Sequence, residues 1–516
     1  MRGLRVLRAE WTKFRTVRGW VLGTLGAALA SVLLLLAGTA STNQSANQSS
    51  NQHRQDAAAL PVGPGGEAVN DSFYFVHQAL TGNGSITVPV TALTGVLAQE
   101  PGRTSPGITP WAKTGILVKQ SLGQGSQYAA MMVTGAHGVR MQDDFTHDRA
   151  GLPGRPSAAS PRLLRLVRAG STVTGYDSTD GVHWAEVGSA RLTGLPATVQ
   201  VGLFTASPAA VQTSGSQGGS SPAVATGTFG RVALGGSWAR GDRQDGWRGG
   251  WRGVQVGGDA GTSGSYAENT SGGYTPTGSG FSVTGAGDIA PVVGGPSLGP
   301  AYTIENFLVG TFAGLIVLTV VAVQFVTAEY RRGLIGSTLA ATPRRGRLLA
   351  AKAAVVMAVA FTVGVVTAAV SIPLGRHRAH ATHFVVFTVP HAVELRAVLG
   401  TGLLLAATAA LALALGAVLR RSATAITAVM VTTVLPYLLA VSGVLPASSA
   451  QWLLRLTPAA GFAVQQTLPH YAHVLSVYTP SAGYFPLSPW GGYAVLAGWT
   501  VLALTAATLL LRRRDV

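Results

Sequence analysis

No cysteine occurs in the 516 residues. Disulfide frameworks, thiolate metal sites and cysteine nucleophiles are therefore excluded, and any part outside the cell must be stable without covalent staples. Charge is scarce: 11% of residues are Asp, Glu, Lys or Arg, against roughly a quarter in an average soluble domain. Lysine almost vanishes, with only Lys13, Lys113, Lys119 and Lys352 among 37 basic residues. The GxxxxGK[ST] loop that cradles nucleotide phosphates is missing, as are HExxH, CxxC and GxSxG. The chain thus has no P-loop of its own, and the common zinc-peptidase, thiol-redox and serine-hydrolase classes drop out.

What is abundant is apolar. Six runs are long enough to cross a hydrocarbon core, which takes about 20 helical residues: Trp20 to Ala37, Phe307 to Val326, Ala353 to Ile372, Ala397 to Leu419, Ala423 to Leu445 and Tyr493 to Leu511. None carries a charge. Since a mid-membrane Arg or Lys costs roughly 2.5 to 3.5 kcal/mol on insertion scales, that absence marks six membrane spans. With no ionisable group inside them, a proton relay would have only Glu305 and Glu394 at the span edges, so the driving energy is expected from outside the chain.

A formal net charge of +17 raises nucleic acid as a partner, and its distribution removes it. Residues 42 to 302 hold 16 basic and 15 acidic residues, so the only large soluble region is nearly neutral and lacks the basic face that nucleic acid needs. The excess flanks the spans. Arg2, Arg5, Arg8, Lys13, Arg15 and Arg18 precede the first, Arg331 to Lys352 follow the second, Arg420 and Arg421 follow the fourth, and Arg512 to Arg514 follow the sixth. These fall on one side, and the positive-inside rule makes that side cytoplasmic, with both termini there. Leu4, Leu7, Trp11 and Phe14 recur at helical spacing, which predicts an interfacial helix on the inner leaflet. The basic leader, apolar run and "AGTAS" also have the grammar of a signal peptide, but the leader is long and amphipathic.

Beyond the first span, "TNQSANQSSNQ" reads as a flexible stalk. Short β-rich runs follow, broken by Gly, Pro and Asn: "SITVPVTAL", "KTGILVKQS", "QYAAMMVTG", "RLLRLVRAG", "STVTGYDS", "HWAEVG" and "TVQVGLFTA". They predict an antiparallel sandwich, with "STVTGYDS" and "HWAEVG" joined as a hairpin through Asp180 and Gly181. "PRLLRLVRAGSTVTGYDSTDGVHWAEVG" with "LPATVQVGLFTAS" resembles the concanavalin-like or laminin-G-like jelly rolls of bacterial surface proteins and glycosidases. That likeness implies a domain able to recognise a glycan or another surface ligand, with Arg168, Tyr176 and Trp184 as exposed contact candidates. On the plainer reading Trp184 packs on a neighbouring strand. Asp143 and Asp144 lack the carboxylate-dense spacing of a calcium loop, and His377, His380 and His383 lack an acidic or thiolate partner, so no metal site is expected. Trp247 and Trp251 in "GDRQDGWRGGWRG" suit a sugar ring, a lipid headgroup or the cover of a sheet edge equally well.

The segment after the second span, "TAEYRRGLIGSTLAATPRRGRLLAAK", sets Leu334, Ile335 and Leu339 as a narrow apolar stripe among arginines. Lipid headgroups account for the arginines at about 1 kcal/mol each. The stripe calls for a protein groove. Together with "LRAEWTKFRTVRGW" and "WLLRLTPAAGFAVQQTLP", this segment resembles the membrane subunits of ATP-binding-cassette transporters of the second, export type. The resemblance implies that the leader is an elbow helix and that Glu329, Tyr330, Arg331, Arg332 and Leu334 dock on a separate ATPase. It also implies that Thr457 to Thr467 forms a re-entrant segment.

The expected fold is therefore a membrane α-helical bundle of six transmembrane helices with an extracellular all-β, jelly-roll-like sandwich inserted between spans one and two. The expected units are the elbow helix 1–19, span one 20–40, the stalk 41–70, the sandwich 71–234 and a Gly/Ser-rich segment 235–302. Span two 303–327, the coupling helix 328–349 and spans three to six 350–516 follow, with a re-entrant segment 446–489. The expected role is the permease of an exporter in a bacterial cell membrane. It would have no catalytic residues, no cofactor of its own and no nucleic acid partner. ATP and Mg would be held by a partner ATPase, and a second permease copy and membrane lipids are the other expected partners. The competing role is a polytopic receptor or anchor whose sandwich binds a wall glycan.

Overall fold

The structure, a computed structural model, describes residues 2–49, 60–100, 103–214, 217–236, 250–257, 272–278, 280–294, 301–331, 345–381 and 385–513. The helices are α1 (Arg2–Thr16), α2 (Arg18–Ser49), α3 (Ile304–Leu308), α4 (Thr311–Arg331), α5 (Arg345–Ala381) and α6 (His391–Leu419). They continue with α7 (Ser422–Val429), α8 (Leu435–Val441), α9 (Ala447–Leu456) and α10 (Pro489–Arg513). Six segments within them are long and apolar enough to cross a membrane: Arg18–Ala37, Ile304–Tyr330, Gly346–Ala381, His391–Leu419, Ser422–Val441 and Pro489–Arg513.

The central helix is α6, most of whose residues between Ala397 and Ala417 are buried. Small residues let its neighbours approach: a Cβ on Gly364 of α5 would lie 2.8 Å from the Gly402 Cα of α6, the close contact that glycine permits in membrane bundles. Two helices run past their apolar runs. α5 continues through Pro373 and "GRHRAH" to Ala381. α2 continues to Ser49, so the first nine residues of the expected 41–70 stalk are helical. Between α7 and α8 a π-helical turn spans Met430–Val434, the kind of irregularity often found at functional positions.

Between spans one and two stand two antiparallel sheets. The seven-stranded sheet runs in the order Arg252–Val256, Phe73–Thr81, Thr198–Ala206, Lys113–Lys119, Tyr128–Thr134, Val139–Asp143, His147–Ala150. The other sheet follows the order Ala185–Arg191, Thr172–Ser178, Arg162–Ala169, Gly84–Glu100, Ala223–Phe229, Phe281–Gly285, Gly273–Pro276, with Ala233–Gly236 and Arg103–Pro106 also paired to the long strand. Alternation builds the core between them: Phe229, Phe281 and Val283, Leu164 and Leu166 face Val76, Ile116, Met131 and Val201. The expected hairpin is present, with Asp177 opposite Ala185. The sandwich extends past residue 234 into the Gly/Ser-rich segment. Trp251 is buried against Phe281 in its core, so of the two tryptophans considered as sugar platforms one is a core residue. Trp247 lies outside the described residues.

The seven-stranded sheet is buried on its second face too. Phe73, Phe75, Leu117, Tyr128, Met132, Phe145 and Phe204 form a further apolar layer with Val69 and Ile289. The last two belong to a neck ribbon in which Val69–Asp71, arriving from span one, pairs antiparallel with Ile289–Pro291, leaving for span two. Two ion pairs bind this ribbon to the strand Lys113–Lys119: Lys113 Nζ lies 2.6 Å from Asp288 Oδ1, and Lys119 Nζ 2.7 Å from Asp71 Oδ2. Burial pushes the Asp71 carboxyl up and the Lys119 ammonium down, against the partner's charge.

Candidate functional site

At the arginine-rich end, α1 lies against the bundle with Phe14 and Leu7 inward as expected, but with Glu10 inward and Trp11 outward. Phe14 is buried, edge-on to Phe325 at 5.5 Å and stacked on Trp20 at 6.0 Å. Leu7 is half-buried beside it, whereas Trp11 turns outward and is 46% exposed. The side chain of Leu4 lies outside the described ones. The residue that faces inward instead is Glu10, at 4% exposure.

Glu10 is one end of a charged junction. Lys352, in the first turns of α5, places Nζ 2.7 Å from Glu10 Oε2 and 2.8 Å from Glu329 Oε1 at the end of α4. Lys13 donates to the same Glu329 oxygen. The Lys352 ammonium also stands 4.5 Å from the Phe325 ring centroid, so an aromatic face takes part of the desolvated charge. Two ammoniums and two carboxylates leave the group neutral, and it ties together three helices. Sequence reasoning missed Glu10 and Lys352. The available signal was a single acid in a basic leader and one of only four lysines in an arginine-dominated chain, placed where the third span begins.

The expected docking residues divide. Glu329 points into this junction with 3% exposure, so its carboxylate is engaged by lysines of the same chain and is not a free surface group. Tyr330 is half-buried, and the Arg420 guanidinium sits 5.3 Å from its ring centroid. Arg420 takes φ 56° at the α6–α7 turn, a left-handed conformation uncommon for a side chain of its size. Arg331 closes α4. Arg332 and Leu334, with Ile335 and Leu339, lie outside the described residues.

At the opposite end, the expected re-entrant segment is the 3-10 helix Pro458–Gln465, every residue of which is buried. A Cβ on Gly400 would come within 2.6 Å of Val464 Cγ2, so a glycine in α6 makes the seat. The residues that leave the helix are held by three elements. Gln465 Nε2 donates to Thr401 Oγ1 at 3.0 Å and to Thr311 Oγ1 at 3.3 Å. Arg396 donates to the Gln466 carbonyl. The Glu305 carboxylate accepts the N–H of Thr467, its hydroxyl at 2.8 Å, and the Leu468 N–H at 3.3 Å.

The sandwich candidates are rearranged. Arg168 is buried, and its guanidinium donates to the carbonyls of Gly170, Ala197 and Pro196 at 3.0, 3.1 and 2.5 Å. It is a clamp between loops, not an exposed contact. Tyr176 is half-buried and lies opposite Arg165 and Glu186 in the sheet. Trp184 donates to the Gly181 carbonyl at 3.0 Å, and the Arg165 guanidinium covers its ring at 3.7 Å. Asp143 pairs with Arg149, and Asp144 accepts the Tyr128 N–H. Among the described residues no group of three or more His, Asp or Glu is placed to hold a metal. His377 and His380 are exposed on α5, and His383 is not described.

A family model described as ABC-2 family transporter protein matches residues 6–516. The chain belongs to this family. It is a multi-pass membrane permease of an ABC transporter, a transport component and not itself catalytic, with a β-sandwich inserted between its first two spans. Membership in the ABC-2 family implies an ATP-binding partner subunit in general terms. No curated protein matches the chain. Among solved structures, similar ones include a functionally unknown protein from Saccharomyces cerevisiae, 14% identical over 35% of this chain and 82% of that one, with a TM-score of 0.22. Others are a glycoside hydrolase family 43 protein from Bacillus licheniformis (15% identity, 30% and 27% covered, TM-score 0.19) and scytalido-glutamic peptidase with a transition state analogue inhibitor (7%, 43% and 100%, 0.25). At these scores they carry no argument about function.

Proposed function

We propose that this ABC-2 permease works as the membrane subunit of a bacterial exporter. Both termini lie in the cytoplasm, the sandwich outside, and the segment 328–349 docks a separate ATPase that binds ATP and Mg. A second permease copy, the same chain or a relative, completes the pathway. Closure of the ATPases on ATP would move the docking segments and bias the spans between inward- and outward-facing states.

The observation that carries the reading is the charged junction. Glu329 and Lys352 stand at the two roots of the docking segment, and both are tied to α1 through Lys13 and Glu10. A push on the segment is thereby delivered to three helices together. Glu329 accordingly serves as the brace, and Tyr330, Arg331, Arg332 and Leu334 form the contact set. Co-expression with the cognate ATPase tests this. Arg332→Glu combined with Leu334→Ala is expected to abolish co-purification and permease-dependent stimulation of ATP hydrolysis, while the permease elutes unchanged from a sizing column. Retention of both the complex and the stimulation would remove the docking assignment.

A further inference from the structure

The sandwich has no task in that reading, yet it is fastened to the bundle far beyond its two chain connections. Gly294, where the neck ribbon leaves the sandwich, donates its N–H to Tyr484 Oη at 2.9 Å and accepts from Ser476 Oγ at 2.6 Å. His473, in the same loop before α10, donates from Nε2 to the Phe145 carbonyl at 2.9 Å. That carbonyl sits on a turn in which Asp144 and Phe145 both have positive φ, 43° and 63°, a costly backbone that persists only where the surroundings over-determine it. An apolar cluster completes the joint: Ala68, Ala290 and Val293 of the neck pack with Phe387, Leu468, Val474 and Tyr484 of the bundle's outer loops.

Leu468 belongs to both systems. Its side chain is buried in the neck cluster, while its N–H is held by Glu305 together with Thr467. The three preceding residues are pinned to α3, α4 and α6, so the end of the buried 3-10 helix and the neck of the sandwich meet at one residue. The neck itself is held against bending, because Lys113–Asp288 and Lys119–Asp71 fix the ribbon at both ends of one strand.

We propose that the sandwich is the outward arm of a gate formed by residues 458–468, with Leu468 as the joint and Glu305 as the positioning residue that holds it. A load on the sandwich is then felt inside the membrane bundle, and a shift of the gate moves the sandwich. The mechanical coupling stands on contacts within this chain. Only the purpose of the gate rests on the permease reading.

The absence of cysteine makes the test clean. Val464, fully buried against Gly400, is replaced in Val464→Cys as the sole thiol of the full chain in lipid nanodiscs. Its reaction with a charged, membrane-impermeant methanethiosulfonate is then timed. Labelling is expected to be slow, to speed up at least tenfold with Glu305→Ala, and to rise to an intermediate rate with Glu305→Gln, which keeps one acceptor oxygen. The deciding variant is Tyr484→Phe with Ser476→Ala, which releases Gly294 and leaves the partners of Gln465, Gln466 and Thr467 in place. It is expected to accelerate labelling at least tenfold as well. A second measurement uses nitroxides at Thr179→Cys on the sandwich hairpin and Ala472→Cys on the outer loop. Their distance distribution is expected to be narrow and to broaden in the Gly294-releasing variant. An unchanged Val464→Cys rate in that variant, or a broad distribution in the otherwise unaltered chain, overturns the proposal. Neither readout needs the ATPase, so loss of the permease reading through failed co-purification is a separate result.

Discussion

The two ends of the molecule solve the same problem differently. Only four of the 37 basic residues are lysines, and all four pair with carboxylates: Lys113 and Lys119 at the neck, Lys13 and Lys352 at the arginine-rich end. At the neck each ammonium has its own carboxylate and a backbone acceptor as well, Ile289 O for Lys113 and Ser126 O for Lys119. Asp71 in turn accepts the Gly125 N–H. At the other end Lys13 and Lys352 share one oxygen of Glu329, and the Lys13 side chain is 34% exposed. One-to-one pairs with backbone partners fix a geometry. A shared acceptor lets one partner leave while the other keeps the charge compensated. The neck is thus built to hold one geometry, and the junction beside the docking segment to stay charge-compensated while it carries a push to three helices. A compact ammonium with three rotatable donors suits both uses, whereas the planar guanidinium fork serves bidentate pairs such as Arg376 with Glu394.

The sharpest way to break this contrast is to delete one lysine at each end. Lys119→Met strands a buried Asp71 and is expected to destabilise the sandwich by about 3–5 kcal/mol, whereas Lys119→Met with Asp71→Leu should recover most of that loss, short of the part owed to the Gly125 N–H that Asp71 accepts. Thermal melts of the full chain decide between them, and a single variant as stable as the double would show that the pair does not constrain the neck. Lys352→Met should cost less, about 1–3 kcal/mol, because Lys13 still compensates Glu329 and only Glu10 is stranded. Its visible consequence is loosening of α1 on the N-terminal side of Lys13, read as faster proteolysis in that part of the helix. A loss equal to that of Lys119→Met would erase the distinction between the two ends.

The smallest effect expected is a pH dependence at the joint. Burial lowers the pKa of His473, so the undocked form binds a proton more readily than the docked one. Docking is therefore fully stable above the ordinary histidine value of about 6.5 and weakens as pH falls below it. The nitroxide distance between sandwich and outer loop should broaden at pH 5 and sharpen again at neutral pH. His473→Gln, whose amide can still donate to the Phe145 carbonyl but cannot titrate, should remove that response. A pH response that survives the substitution would assign it to another group.

Part of the site was readable and went unread. In "RLLRLVRA" Arg168 shares the parity of Leu164 and Leu166, the inward face of the strand, so the alternation that predicts the sheet also predicts a buried Arg168. Trp251 was harder, because the glycines around its strand blur the period that marks a core. Glu10 gave almost no signal, since one acid among basic residues reads as a solvated face until Lys352, 342 residues away, is brought against it. The outward turn of Trp11 has the same cause: the large apolar residue lost the inward position to a carboxylate with a partner.

Composition and periodicity by themselves determined six uncharged spans, the asymmetry of arginine about them, a strand-rich insert and the absence of thiol and P-loop chemistry. These follow from local costs, the insertion of charge into hydrocarbon and the two-residue repeat of a strand, which each stretch of chain meets alone. The tertiary structure alone decided which charges are internal, that the second face of one sheet is covered by the neck, and that Leu468 joins the sandwich to the buried 3-10 helix. Those features depend on pairing between residues far apart in sequence, and the strength of a buried ion pair or an apolar contact is set by the partner and its desolvation, which no local pattern contains.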